Sequence, residues 1–271
     1  MFKGFLNFFQ AEMPTPGFYG WFHLLWIGIM ISACVAIFFF RKRISTRALN
    51  NTLLGLGIAF VILEVIKQVI YSFNIDGAGN ITFDYKTHAF PFQFCSTPMY
   101  LMLLAGILRK GKIYEALLSY LATFALIGGM IVMVCPGDVL GETIYINIQT
   151  MVWHASMVVL AFLILVTRHV EFNYKTLFKA GIVFVCMLGI ALLLNTLAHF
   201  IAPDKEFNMF LIGPYQPCSL LILQDIYPVV PWIIFFLLYV ALFVGAAALV
   251  LSIAILCDRL SRKAQNKKQV E

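Results

Sequence analysis

Long apolar runs separated by short polar clusters dominate this chain. Seven of them match the ~17 to 25 residues that a helix needs to cross a bilayer: about Phe18 to Phe40, Leu49 to Phe73, Pro91 to Leu108, Ile113 to Val134, Asn147 to Thr167, Thr176 to Ile201 and Val229 to Cys257. Apolar residues lie all round each run instead of alternating with polar ones, which points to helices and not to a porin-like barrel. The third run is the shortest and carries Pro98. The N-terminal stretch MFKGFLNFFQAEMPT lacks the continuous apolar region and small-residue site of a cleaved signal peptide. It reads as an interfacial helix, with a flexible terminus as the alternative. The pattern predicts an all-α polytopic membrane protein: an interfacial segment over 1–17, seven transmembrane helices over 18–257 and a basic tail over 258–271. Neither an internal repeat nor a soluble domain is evident.

Composition agrees. Of 271 residues, 62% are apolar and only 12% charged, where a soluble domain carries roughly a quarter charged. With 26 Phe, 11 Tyr and 4 Trp the chain is also unlike a disordered one. The net charge of +6 would suit a nucleic-acid partner only if the basic residues shared one aqueous face. Instead they alternate between connections. Arg41, Lys42, Arg43 and Arg47 follow the first run; Arg109, Lys110 and Lys112 the third; Arg168, Lys175 and Lys179 the fifth; Arg259, Arg262, Lys263, Lys267 and Lys268 the seventh. Only Lys3, Lys86 and Lys205 lie on the opposite side, and Lys67 falls within the second run. The positive-inside rule then predicts an external N-terminus and a cytoplasmic C-terminus in the cell membrane, and no nucleic-acid partner.

Polar side chains at membrane depth cost ~2.5–3.5 kcal/mol on insertion scales when ionisable, so they face the bundle interior and find partners. Here they are few: His23; Glu64, Lys67 and Gln68; Gln93 and Cys95; Gln149 and His154; Asn195 and His199. All fall in the predicted outer half. Glu64 and Lys67, spaced i, i+3, share a helix face and can pair, either as a structural ion pair or to orient a substrate headgroup. Gln68 and Asn195 read first as hydrogen bonders between helices, and His23 as an interfacial residue in a Trp- and Tyr-rich border. The Pro-rich connection from Ala202 to Pro228 reads equally as a lid over the bundle mouth or a plain loop.

Cys95, in PFQFCSTPMYL, is expected one turn into a helix that Pro91 would begin. Positive charge at that helix end favours a thiolate. His154, in MVWHASMVV, lies at a similar expected depth on another span. Together they are a candidate nucleophile and general base; the alternative is a buried structural cysteine and a hydrogen-bonding histidine. Cys135 and Cys218 fall on one side, which leaves a disulfide open. Zinc-site spacing, a G-x-S-x-G elbow and Walker-type loops are absent. The seventh span has neither a lysine for retinal nor an N-P-x-x-Y motif, which excludes rhodopsins and G-protein-coupled receptors.

The stretches ILEVIK (with Glu64), PFQFCSTPMYL (with Cys95), INIQTMVWHASM (with His154) and Asn195 followed by FNMFLIGP around Asn208 resemble the YwaF-type family of integral membrane proteins. The distant eukaryotic relative of that family is the lipid acyltransferase called transmembrane protein 164. In that relative a cysteine of the third-span motif is proposed to accept a fatty acyl group from a phospholipid and pass it to a lysophospholipid, with a later histidine assisting. The resemblance maps these roles onto Cys95 and His154. The bacterial motif often has a histidine two residues before the cysteine, where this chain has Gln93, so one candidate base is missing.

The resulting expectation is a phospholipid acyltransferase or acyl hydrolase working through a thioester. Asn195, Gln93 or backbone N–H groups would stabilise the oxyanion, and Glu64, Lys67 and Asn208 would bind or orient the substrate. The resemblance implies no metal or diffusible cofactor, and phospholipids and lysophospholipids as partners. The alternative is a non-enzymatic lipid or small-molecule carrier with Glu64, Lys67 and His154 as its intramembrane site; a structural or regulatory membrane protein is a third reading.

Overall fold

The structure, a computed structural model, describes residues 1–220 and 222–270. Leu221 and Glu271, the last residue of the expected tail, lie outside the described residues, as do the side chains of Asp138 and of residues 264–270, Lys267 and Lys268 among them. Among the described residues, six helices are long and apolar enough to cross a membrane. A short helix α1 (Phe2–Phe9) precedes α2 (Trp21–Phe40) and α3 (Thr46–Ile70). A hairpin of β1 (Phe73–Ile75) and β2 (Ile81–Phe83), in register Phe73 to Phe83, leads to α4 (Thr97–Leu108). Then come α5 (Lys112–Ala122) and α6 (Phe124–Val134), which together make one crossing, α7 (Ile144–Val166), α8 (Tyr174–Ile201), the short α9 (Leu223–Ile226) and α10 (Trp232–Val270).

Several boundaries follow from caps that hydropathy does not see. The Ser45 hydroxyl accepts a bond from Ala48 N, and Asn173 Oδ1 accepts from Lys175 N and Thr176 N; such N-caps fix the starts of α3 and α8 at ~1 kcal/mol each. The fourth predicted run is broken at Thr123. Thr123 Oγ1 donates to the Ser119 carbonyl and Ser119 Oγ to the Glu115 carbonyl, and such back-bonding bends helices. The last helix does not stop at Cys257 but continues to Val270; Asp258, which Arg262 of the same helix also bonds, joins it to the rest of the bundle through Arg168.

The third run departs most from expectation. Its helix begins at Thr97, not Pro91, because Pro98 occupies the first turn, where a missing N–H costs nothing. Residues 91–96 instead form a turn in which Gln93 O accepts from Ser96 N and Thr97 N. The 12-residue α4 is only ~18 Å long, short of the ~30 Å hydrocarbon core. Gly57 meets Leu103 and Gly106 meets Leu54 so closely that a β-carbon at either glycine would overlap its neighbour. These contacts let α3 and α4 pack backbone to backbone.

The core is aromatic. The Phe94 ring, carried by the 91–96 turn, contacts Tyr120, Phe184, Phe210 and Phe243, and Phe124 stacks on Phe184 at 4.5 Å between centroids. The turn is thus folded into the centre of the bundle, and irregular backbone is tolerated at membrane depth only where protein buries it. Helix α2 packs at the edge, mainly on α7, with its other faces apolar and exposed. Over the hairpin end lies α1, and Gln10, just past its end, donates from Nε2 to the Ile70 and Phe73 carbonyls.

Candidate functional site

The polar residues picked out in the sequence gather toward the hairpin end of the bundle and divide into two sets. In the first, each amide is bonded through both its oxygen and its nitrogen. Asn195 of α8 donates from Nδ2 to Met209 O at 3.0 Å and accepts at Oδ1 from Met209 N at 2.6 Å. Asn208 accepts from Gly213 N at 2.7 Å and donates to the carbonyls of Gln216 and Pro217. Gln93 donates to Asn208 O and accepts from Phe210 N at 3.0 Å. The three amides therefore sew the 202–231 connection onto α8 and onto the 91–96 turn. Met209, Phe210 and Ile212 are buried beneath them, and Phe210 and Leu211 adopt positive φ near +59° and +57°, a conformation that non-glycine residues rarely take. The connection is a packed cap, closer to the lid than to the plain loop. Asn195 gives its two Nδ2 hydrogens to Met209 O and Asn208 Oδ1 and has no free N–H for an oxyanion, whereas Gln93 gives one Nε2 hydrogen to Asn208 O and keeps the second.

The second set is incompletely satisfied. On α3, Glu64 Oε1 accepts from Lys67 Nζ at 2.9 Å and from Gln68 Nε2 at 2.7 Å, while Oε2 has no partner. Gln68 is held in turn by Ala89 O and by the Tyr85 hydroxyl. On α7, His154 Nδ1 lies 2.7 Å from Thr150 O, and Nε2 is buried without a partner. A carbonyl oxygen can only accept, so Nδ1 carries the proton and Nε2 holds a lone pair. Among the described residues, four buried side-chain atoms lack a partner, and Glu64 and His154 supply two of them. Such atoms are uncommon and each calls for a reason.

Cys95 is joined to this second set through Trp153. The Trp153 indole donates to Cys95 O at 2.7 Å and stacks on Phe60 at 4.0 Å between centroids. Phe60 is one turn from Glu64 on α3, and Trp153 precedes His154 on α7. The hydrogen bond brings the Cys95 turn level with a residue ~14 Å along α7 from its start. On the other side of α7, Gly129 of α6 approaches His154 O, which a β-carbon there would meet at 2.9 Å. Cys95 is therefore in a turn just ahead of a helix N-terminus and not within the helix. Sequence reasoning passed over Trp153. A tryptophan in mid-span must find a partner for its N–H, and that requirement marked it.

Beside this set, a groove of about 400 Å³ runs between α3 and the start of α4. Val61, Val65 and Val69 face Pro91, Met99 and Tyr100 across it, and Glu64 and Gln68 also line it. Its rim is continuous with the exposed apolar face of α3 around Ile58, Ile62 and Val65.

The remaining candidates lie elsewhere or are engaged. His23 accepts from Tyr19 N at Nδ1 and donates from Nε2 to Met133 O at 3.0 Å, so both nitrogens are used. His199 stacks on Tyr215 of the cap. Cys135 and Cys218 are free thiols, the first exposed and the second buried. Among the described residues, no group of three or more His, Cys, Asp or Glu could hold a metal ion.

No curated protein and no solved structure matches this chain. The profile of the TMEM164 family, in contrast, matches residues 18–254, from the first predicted span almost to the end of the last apolar one and across both sets of polar residues. This chain belongs to the TMEM164 family of membrane proteins.

Proposed function

We propose that this chain is a phospholipid acyltransferase, or acyl hydrolase, that works through an acyl thioester on Cys95 with His154 as the base. The observation that carries the reading is the state of His154. Its Nδ1–H is committed to the Thr150 carbonyl, which leaves the Nε2 lone pair buried and unpartnered. This is the tautomer a general base requires, and a neighbouring backbone group holds it in place. His154 takes the Cys95 thiol proton, and the sulfur attacks the ester carbonyl of a phospholipid. The acyl C–O bond breaks, and His154 returns the proton to the departing lysophospholipid oxygen. A lysophospholipid hydroxyl, or water, then attacks the thioester carbonyl; the C–S bond breaks and the proton ends on the Cys95 sulfur.

Gln93, which gives one of its two Nε2 hydrogens to the Asn208 carbonyl and keeps the other, is the side-chain donor offered to the oxyanion, a role worth ~2.7–4 kcal/mol per donor. Glu64 and Lys67 bind or orient the lipid. Gln93, Asn195 and Asn208 orient the site by fixing the Cys95 turn to the cap.

The topology proposed with this function has seven crossings. Helix α4 and the 91–96 turn together make the third. The N-terminus is external and the C-terminus cytoplasmic, in the cell membrane, with an interfacial segment over 1–17, the seven-helix domain over 18–257 and a basic tail over 258–271. The Lys and Arg distribution supports this orientation.

The test is incubation of purified protein with acyl-labelled phospholipid. The wild type acquires hydroxylamine-sensitive label and passes it to added lysophospholipid, whereas Cys95→Ala stays unlabelled. An unlabelled wild type, or equal labelling of Cys95→Ala, refutes the proposal. Movement of intact lipid across liposomes that survives Cys95→Ser and fails in Glu64→Gln would establish the carrier reading in its place.

A further inference from the structure

Resting on the proposed acyl-transfer reading, we infer that the groove between α3 and α4 is the acceptor subsite. It takes a monoacyl lipid whose chain lies along the groove and whose free hydroxyl donates to Glu64 Oε2. Three observations converge. Val61, Val65 and Met99 make the walls apolar, and the rim opens onto an exposed apolar helix face. In a membrane the neighbour of such a face is an acyl chain.

Glu64, which lines the groove, is buried, and one of its carboxylate oxygens has no hydrogen-bond donor. An unmet buried acceptor is costly, the more so when charged, so a ligand that supplies a donor is favoured there.

The donor must also be neutral. Glu64 Oε1 is already paired with Lys67 and bonded to Gln68, so the pair carries no net charge. A cationic ligand would bring an uncompensated charge into a low-dielectric site. An alcohol satisfies Oε2 without doing so. A diacyl phospholipid has no free hydroxyl on its glycerol backbone, whereas the monoacyl lipid that receives an acyl group must have one there. The groove thereby separates acceptor from donor by one hydrogen bond. Because Oε2 is covered by its surroundings, a rotation of the Glu64 side chain accompanies docking.

The experiment uses full-length protein in lipid nanodiscs, as Cys95→Ala to prevent turnover. The probe is a monoacyl phosphatidylcholine with a diazirine in its chain, and cross-linked peptides are identified by mass spectrometry. Labelling is expected to concentrate on residues 61–69 of α3 and on Met99 and Tyr100. Unlabelled monoacyl lipid should suppress it about tenfold better than the same lipid with its hydroxyl methylated, one hydrogen bond being worth roughly that factor. In Cys95→Ala combined with Glu64→Gln and Lys67→Met, which remains neutral, that difference should shrink. Diffuse labelling of every lipid-facing helix, or equal competition by the methyl ether, overturns the subsite. Acylation of Cys95 is measured separately on wild type. Specific labelling without Cys95 acylation would defeat the acyl-transfer reading and leave the lipid site standing. Acylation with diffuse labelling would do the reverse.

Discussion

Two histidines buried in the same bundle are wired in opposite ways. His23 uses both ring nitrogens, accepting from Tyr19 N and donating to Met133 O, and so links the start of α2 to the end of α6. His154 uses one and keeps the other in reserve. The same contrast separates the amides of Gln93, Asn195 and Asn208, which are spent on holding the cap, from Glu64, which has one oxygen free. Burial and polarity are alike in the two sets. Satisfaction is what differs, and an unsatisfied buried group is a standing cost that a ligand or a chemical role can offset.

The comparison breaks if the wrong set proves functional. The largest effect is expected from His154→Gln, which should lower acyl transfer by ~10²–10⁴-fold, the range for loss of a general base, while thermal unfolding shifts little. His23→Leu should do the opposite, because it strands Tyr19 N and Met133 O. Destabilisation of ~2–3 kcal/mol follows, with the rate per folded molecule retained. A rate collapse in His23→Leu with normal unfolding would abolish the distinction.

Next in size is Asn195→Leu. It removes both bonds to Met209 and should cost ~2–4 kcal/mol, seen as earlier proteolysis within residues 202–231 before global unfolding. Gly129→Ala forces a β-carbon against His154 O and should destabilise by ~1–3 kcal/mol, with a lowered rate because the α6–α7 contact moves the histidine. Trp153→Phe preserves a ring to stack on Phe60 but drops the bond to Cys95 O. About 1 kcal/mol, or several-fold in rate, is expected, measured as kcat at saturating lipid. An unchanged rate would remove Trp153 from the positioning of the thiol.

Much of this was legible in the residues. The run Asn147 to Thr167 foretold α7 to within about three residues, because a span needs a length of unbroken apolar sequence and little else. Pro91 misled because a proline suits a helix start, yet Pro98 was the one so used. The break at Thr123 escaped because hydropathy is blind to a hydroxyl bonding back along its own helix. The polar list left out Trp153, whose indole holds the Cys95 turn, and it could not show how its members divide. The partners of Asn195 and Asn208 are backbone atoms of a connection that folds back on itself, and nothing in side-chain identity announces them. Which nitrogen of His154 stays free depended likewise on a single carbonyl one turn away.

The central claim is that Cys95 carries the acyl group. Its most direct test is rapid quenching of purified protein with phospholipid, followed by mass measurement of the peptide containing Cys95. The account predicts an acyl increment on that peptide in the wild type, formed far more slowly in His154→Gln and absent in Cys95→Ala. An unmodified Cys95 peptide in wild-type protein that is turning over lipid would contradict it.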